Sequence, residues 1–146
     1  MIALDTNILV YAHRQDSDFH IPAAQAVQIL ATGKGSWAIP WPCLHEFLAI
    51  VTHPRIYGPP STIAQAVDQI DAWLESPTLH VIGETIDYWP TFRLQLVDGK
   101  VAGPLVHDAR VAAICIAHGV AQLWSADRDF GRFGGPEIHN PLVPGS

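Results

Sequence analysis

Basic residues are scarce in this chain. Lysine occurs only at Lys34 and Lys100, and Lys and Arg together number 8 against 14 Asp and Glu, a net charge of −6 with histidines neutral. That balance excludes a protein that coats nucleic acid by charge alone. It does not exclude a nuclease, because a carboxylate-rich site recovers positive charge from a bound metal; an acidic surface also suits a basic partner. Cysteine is equally rare. Cys43 and Cys115 are too far apart in the chain to read as a disulfide framework, and each sits among apolar residues, which points to core packing. No Cys/His cluster has zinc spacing, although there are 8 histidines. The longest apolar stretches are too short to span a bilayer. Residues 1–14 carry Asp5 and lack a basic start, unlike a signal peptide. The expectation is a soluble cytoplasmic protein without membrane contact. Hydrophobic residues make up 49% and charged ones 15%, which reads as a well-buried globular chain. No repeat, low-complexity tract or linker interrupts it. One domain is expected over residues 1–141, large enough to bury about two-thirds of its unfolded surface, followed by a flexible, turn-rich tail at 142–146.

What is there alternates. Residues 1–4 read as a short buried strand, and Ile8 to Val10 begin a helix through Tyr11 and Ala12. In "IPAAQAVQILATGKG" Ala23, Ala26, Val27 and Leu30 recur at helical spacing, and Gly33 and Gly35 stop the helix. "SWAIP" is a second strand. "PCLHEFLAIVTH" is helical, with Pro42 suited to the first turn and a stripe at Leu44, Phe47, Leu48 and Val51. Ser61 is placed to cap a helix over about 62–75 with Ile63, Val67, Ile70 and Leu74 on one face. "TLHVIG" reads as a third strand, and a helix over about 85–96 follows. "LVHDARVAAICIAHG" is a helix apolar nearly all round after its first turn, ended by Gly119. "VAQLW" is a fourth strand and "EIHN" a candidate fifth. Strands alternating with helices predict an α/β fold with a mostly parallel sheet of four to five strands.

In an open parallel sheet, ligands bind outside the carboxyl ends of the strands. Asp5 directly follows the first strand, and Asp127 follows the fourth. Glu46 lies in the first turns of the helix after the second strand. Asp108 lies in the first turn of the apolar helix; through an ordinary crossover that helix starts near the fourth strand's carboxyl end. Four acids from four segments are thus expected on one edge. Like charges gathered there push one another toward protonation, and only Arg110 and Arg128 lie nearby in sequence. A hard divalent cation relieves the conflict, and oxygen ligands without thiolates favour Mg²⁺, with Mn²⁺ as substitute.

Each acid also has a plainer reading. Asp108 suits the helix macrodipole, Glu46 a solvated helix face, Asp127 the cap of a short turn and Asp5 an Asx turn. The histidines are scattered and read as structural or surface residues, except His107 beside Asp108. The five tryptophans read as core or interface residues rather than base-stacking platforms.

"LDTNILVYA", "PCLHEFLAIVTHPRI", "HDARVAAICIAHG" and "LWSADRDFGRF" followed by "HNPL" resemble, in that order and over nearly the whole chain, the PIN-domain ribonucleases, and more closely the toxin component of VapBC-type toxin–antitoxin modules. The resemblance implies an α/β/α sandwich and a Mg²⁺- or Mn²⁺-dependent endoribonuclease that cleaves RNA by metal-activated water. Asp5 and Asp108 match the two principal metal-binding aspartates, Glu46 the acid after the second strand, and Asp127 the acid after the fourth, with Asp129 less certain. Asn7 and Ser125 match polar residues that support the acids. Arg110 and Arg128 are possible phosphate contacts. The implied partners are a VapB-like antitoxin that covers the site and a second copy of the chain.

Three other readings compete. A PIN-type nuclease could act in RNA processing outside a toxin–antitoxin module. The acids could serve only as a receptor for a basic peptide. An Asp after the first strand also suits an aspartyl-nucleophile phosphatase, but that chemistry typically needs a second Asp two residues on and a lysine in the site; here position 7 is Asn, and both lysines lie in loops.

Overall fold

A computed structural model of the chain describes residues 1–144. Its elements alternate in sequence: β1 (Ile2–Leu4), α1 (Thr6–His13), α2 (His20–Thr32), β2 (Trp37–Pro40), α3 (Trp41–Val51), α4 (Ile63–Leu74), β3 (Leu79–Ile82), α5 (Tyr88–Asp98), α6 (Leu105–Ala117), β4 (Gln122–Trp124) and β5 (Glu137–His139), with a 3₁₀ turn at Arg128–Arg132. The strands form one sheet in the order β3-β2-β1-β4-β5, and every pairing is parallel. The expected fifth strand is present, on the β4 edge. The α/β class and the parallel sheet read from the alternation are both observed.

Every residue of β2 is buried. Successive side chains of a strand point to opposite faces, so both faces of the sheet are covered. The covering helices form two groups: α1 packs on α2 and α3, and α3 on α4, while α5 packs on α6. The core runs through the central strands as Ala3, Leu4, Trp37, Ile39 and Leu123 and is filled from the helices by Ile8, Leu9, Phe47 and Ile114. Cys43 and Cys115 are free and buried in it, as expected.

Some local signals resolved differently from the expectation. Thr62, not Ser61, caps α4. Its hydroxyl accepts from the Gln65 N–H at 3.1 Å, and the Gln65 side-chain oxygen accepts from the Thr62 N–H at 2.9 Å, a reciprocal capping box. Ser61 turns inward to meet His13 Nε2 at 2.9 Å and the Arg14 guanidinium at 3.1 Å. The stripe Ile63, Val67, Ile70 and Leu74 is not the buried one. Ala66 and Trp73 face the core, while Ile63, Val67 and Leu74 are exposed. Trp73 packs edge-on against Phe47 of α3, with ring centroids 4.9 Å apart, and of the aliphatic stripe only Ile70 packs against the core. Of the other tryptophans, Trp37 is fully buried, whereas Trp41 and Trp89 are exposed. Leu142, the first residue of the expected tail, packs into the core; residues 145–146 lie outside those described.

α6 ends as its sequence predicts. Gly119 takes a positive φ of 67°. Its N–H bonds the Ile116 carbonyl at 3.1 Å, and the Val120 N–H reaches back to Cys115 at 3.0 Å. These are the paired bonds of a Schellman motif, which only a left-handed residue closes without strain. Among the described residues no helix is long and apolar enough to cross a membrane.

Candidate active site

β1 is the middle strand, and its carboxyl end delivers Asp5. The Asp5 N–H continues the ladder to the Trp124 carbonyl at 3.0 Å, so the backbone is fixed before the side chain is considered. The carboxylate is buried and surrounded by donors. Ser125 donates its hydroxyl to Oδ2 at 2.8 Å, Asn7 donates its amide to the same oxygen at 3.4 Å, and the Cys43 thiol donates to Oδ1 at 3.6 Å. Asn7 is held in turn: its Oδ1 accepts from the Ala126 N–H at 3.2 Å, and its amide also reaches Ser125 Oγ at 3.3 Å. The "DTN" turn is therefore a bracket that ties the end of β1 to the end of β4. Ser125 and Asn7, expected as supporting residues, both donate hydrogen bonds to the Asp5 carboxylate.

The other acids reach the same edge. Glu46 and Asp108 line one cleft with Thr6, His45, His107 and Arg110. Burial, above all, pushes the Asp5 carboxyl up to about 6, with Glu46 adding repulsion against the lowering effect of the Ser125 and Thr6 donors. Asp108 is likewise pushed up to about 6, by burial first and then by Asp127, Asp5, Glu46 and Asp129. The other four acids named from the sequence thus lie within electrostatic range of Asp108. Among the described residues, however, no three His, Cys, Asp or Glu side chains already close around a common metal position.

Asp127 does what its plainer reading foresaw as well. It caps the 3₁₀ turn, accepting the Asp129 N–H at 2.8 Å, and its own N–H bonds Ser125 Oγ at 2.9 Å. Ser125 thereby orients Asp5 through its hydroxyl proton and Asp127 through its oxygen. Arg128 lines a neighbouring hollow with Ser125 and Asp127, not the cleft of Glu46 and Asp108. Arg110 does line that cleft, but its Nε donates to Glu84 at 2.6 Å. The pair holds the Glu84 carboxyl below its ordinary range. Arg110 is thus already matched by a carboxylate outside the set of five, which leaves the cleft more negative than the sequence suggested. His107 borders it and is exposed.

Glu84, His45 and the Cys43 thiol were missed in the sequence. Glu84 had a signal: it stands two residues past β3, where the same rule that singled out Asp5 looks for ligand-binding groups. Cys43 had none, because its contact with Asp5 joins positions 38 residues apart.

The donor chemistry suits a hard cation. Carboxylate oxygens dominate, and burial pushes the nearby Cys43 thiol well above its usual range, so no thiolate competes. Two carboxyls raised to about 6 by burial first and by neighbouring carboxylates next gain most from a positive charge placed beside them.

Residues 2–136 match the PIN domain family. Ribonuclease VapC48 of Mycobacterium tuberculosis is 36% identical over 138 residues, covering 94% of this chain and 95% of the relative. Ribonuclease VapC43 of the same organism is 31% identical over 142 residues, covering 97% and 96%. Among solved structures, VapBC2 from Rickettsia felis, bound to a DNA fragment from its promoter, superposes with a TM-score of 0.67 at 22% identity, covering 96% of this chain and 98% of that one. VapC20 of Mycobacterium tuberculosis, described as a Sarcin-Ricin loop cleaving toxin, gives 0.66 at 19% identity, covering 90% and 93%. Matched along almost its whole length by fold, family and relatives alike, this chain belongs to the PIN domain family, among the VapC ribonucleases.

Proposed function

We propose that the chain is a Mg²⁺-dependent endoribonuclease toxin of a toxin–antitoxin system, acting on RNA in the cytoplasm as a single domain that includes Leu142 in its core. The observation that carries this reading is convergence: Glu46 and Asp108 line one cleft, and Asp5, Asp127 and Asp129 lie close enough to act on Asp108, five acids from four segments. Asp5, Asp108 and Asp127 would hold the ion, with Asp129 as the adjoining alternative to Asp127. A divalent cation bound there supplies Lewis acidity, lowering the pKa of water and neutralising charge on a phosphoryl group. The chain's own residues do the rest. Ser125 and Asn7 fix the Asp5 carboxylate, so little reorganisation remains when a substrate arrives. Glu46 is exposed on α3 and borders the cleft, where it is placed to orient a water or accept its proton. Arg110 faces the same space and is the candidate phosphate contact; Arg128 is a lesser one.

The partners follow from charge and kinship. A net charge of −6 with a carboxylate-lined cleft favours a basic, VapB-like antitoxin segment, in keeping with the VapBC complex that shares this fold. A homodimer is proposed by the same kinship. The test is end-mapping on total cellular RNA with Mg²⁺, with chelator and Asp5→Asn as controls. Discrete new ends that vanish in both controls are expected. Undiminished cleavage by Asp5→Asn sinks the reading, and a wild-type protein that neither cleaves RNA nor binds metal would leave a basic-peptide receptor in its place.

A further inference from the structure

The rim of the cleft beside His45 carries an aromatic side chain not used above. α3 opens with Trp41, a residue 46% exposed, five positions before Glu46. The ring of His45, which lines the cleft, lies 6.1 Å from the indole, with the planes inclined by 35°. The loop after β3 passes the indole edge: a Cβ on Gly83 would sit 3.4 Å from Trp41 Cδ1. The next residue, Glu84, takes the Arg110 Nε. That side-on pairing uses one of the guanidinium's five N–H donors and leaves both terminal amino groups for another acceptor. Trp41 and Arg110 are therefore joined through the dipeptide Gly83–Glu84. From the rim into the cleft, this wall presents, in order, an aromatic surface, an imidazole inclined to it and an oriented cation.

Single-stranded RNA alternates in the same way, base with phosphate. We propose that this wall is a single-nucleotide subsite: an unpaired base stacks on Trp41 beside His45, and Arg110, held in orientation by Glu84, grips the attached phosphate. A base stacked inside a duplex cannot present its face to the indole, so the subsite selects single-stranded or looped RNA. The assignment rests on the reading of the cleft as an RNA site. It makes Trp41 a binding residue and Glu84 a positioning residue for Arg110.

The test measures binding and cleavage separately. Binding of short mixed-sequence oligoribonucleotides is measured with Mg²⁺ in the Asp5→Asn background, single-stranded and annealed to their complements. Adding Trp41→Ala weakens single-strand binding about tenfold, Trp41→Phe restores most of it, and duplex binding is unaffected by either. Arg110→Gln lowers the slope of log affinity against log salt by about 0.7, the loss of one phosphate contact, whereas Trp41→Ala leaves the slope alone. Glu84→Ala weakens binding. Tighter binding in Glu84→Ala would mean that the carboxylate competes with phosphate, and would overturn its positioning role. Equal single-strand affinity with and without the indole overturns the stacking site; if Trp41→Ala instead dissociates a dimer at unchanged affinity per chain, the ring is a subunit contact. Cleavage by the otherwise unaltered chain decides the parent reading: no cleavage but indole-dependent binding refutes the nuclease and leaves the subsite standing.

Discussion

Asp5 keeps its proton up to about pH 6 because burial outweighs the donors arrayed around it. The sign of the consequence follows from linkage. Its unfolded value is 3.8, so between about pH 4 and 6 the folded chain binds more protons than the unfolded one, and stability falls as pH rises through that window. At neutral pH the ionised, metal-free carboxylate is a burden on the fold. Asp5→Asn is accordingly expected to raise metal-free stability at pH 7 by about 1–2 kcal/mol in urea unfolding, less than the full linkage value because the amide pairs less well with Ser125. The same variant should abolish cleavage, so stability and activity move in opposite directions at one residue. Ser125 makes a second case. Its hydroxyl is the largest influence lowering the Asp5 pKa, and Ser125→Ala should weaken Mg²⁺ affinity about tenfold or more, read by calorimetry, and shift the acid limb of the pH–rate profile upward.

At the scale of elements, the caps carry measurable stability. Gly119 sits at φ 67°, so Gly119→Ala should cost about 1–2 kcal/mol in denaturant unfolding without touching the cleft. Thr62→Ala removes the capping-box acceptor of α4 and should cost about 1 kcal/mol. The neighbouring Ser61, which the sequence offered as the cap, makes none of those bonds. Such ends show what was legible. β1, β2 and the two helices carrying Glu46 and Asp108 announced themselves through short-range signals: Pro42 in a first turn, Gly119 after a last one, apolar residues at i, i+3, i+4 and i+7. The carboxyl-edge rule then placed the acids, because it needs only element order. What stayed hidden depended on pairings distant in sequence. Trp73 overrode the aliphatic face of α4 through Phe47, and Arg110 was claimed by Glu84, 26 residues away. Glu84 itself was within reach of the rule, and only its plainness as a loop acid concealed it.

For the whole molecule, the gathered carboxylates predict a pH dependence that a cation should erase. Metal-free protein should lose melting temperature as pH rises from about 4 to 6 and then level off. Mg²⁺ should raise the melting temperature at pH 7 and do little at pH 4, where Asp5 and Asp108 are protonated. A flat metal-free profile, or an equal effect of Mg²⁺ at both pH values, would remove the electrostatic basis of the site. The sheet order has a consequence of another kind, in time. β1 is made before the other four strands, yet it is the centre of the sheet, and its neighbour β4 is made only after β2 and β3. Until Trp124 and Ser125 emerge, Asp5 has neither its backbone partner nor its principal donor. A chain interrupted before that point carries three of the four principal acids and no bracket to aim the first of them. The bracket therefore closes only once β4 has been made, and translation itself acts as the delay between making the first acids and aiming them.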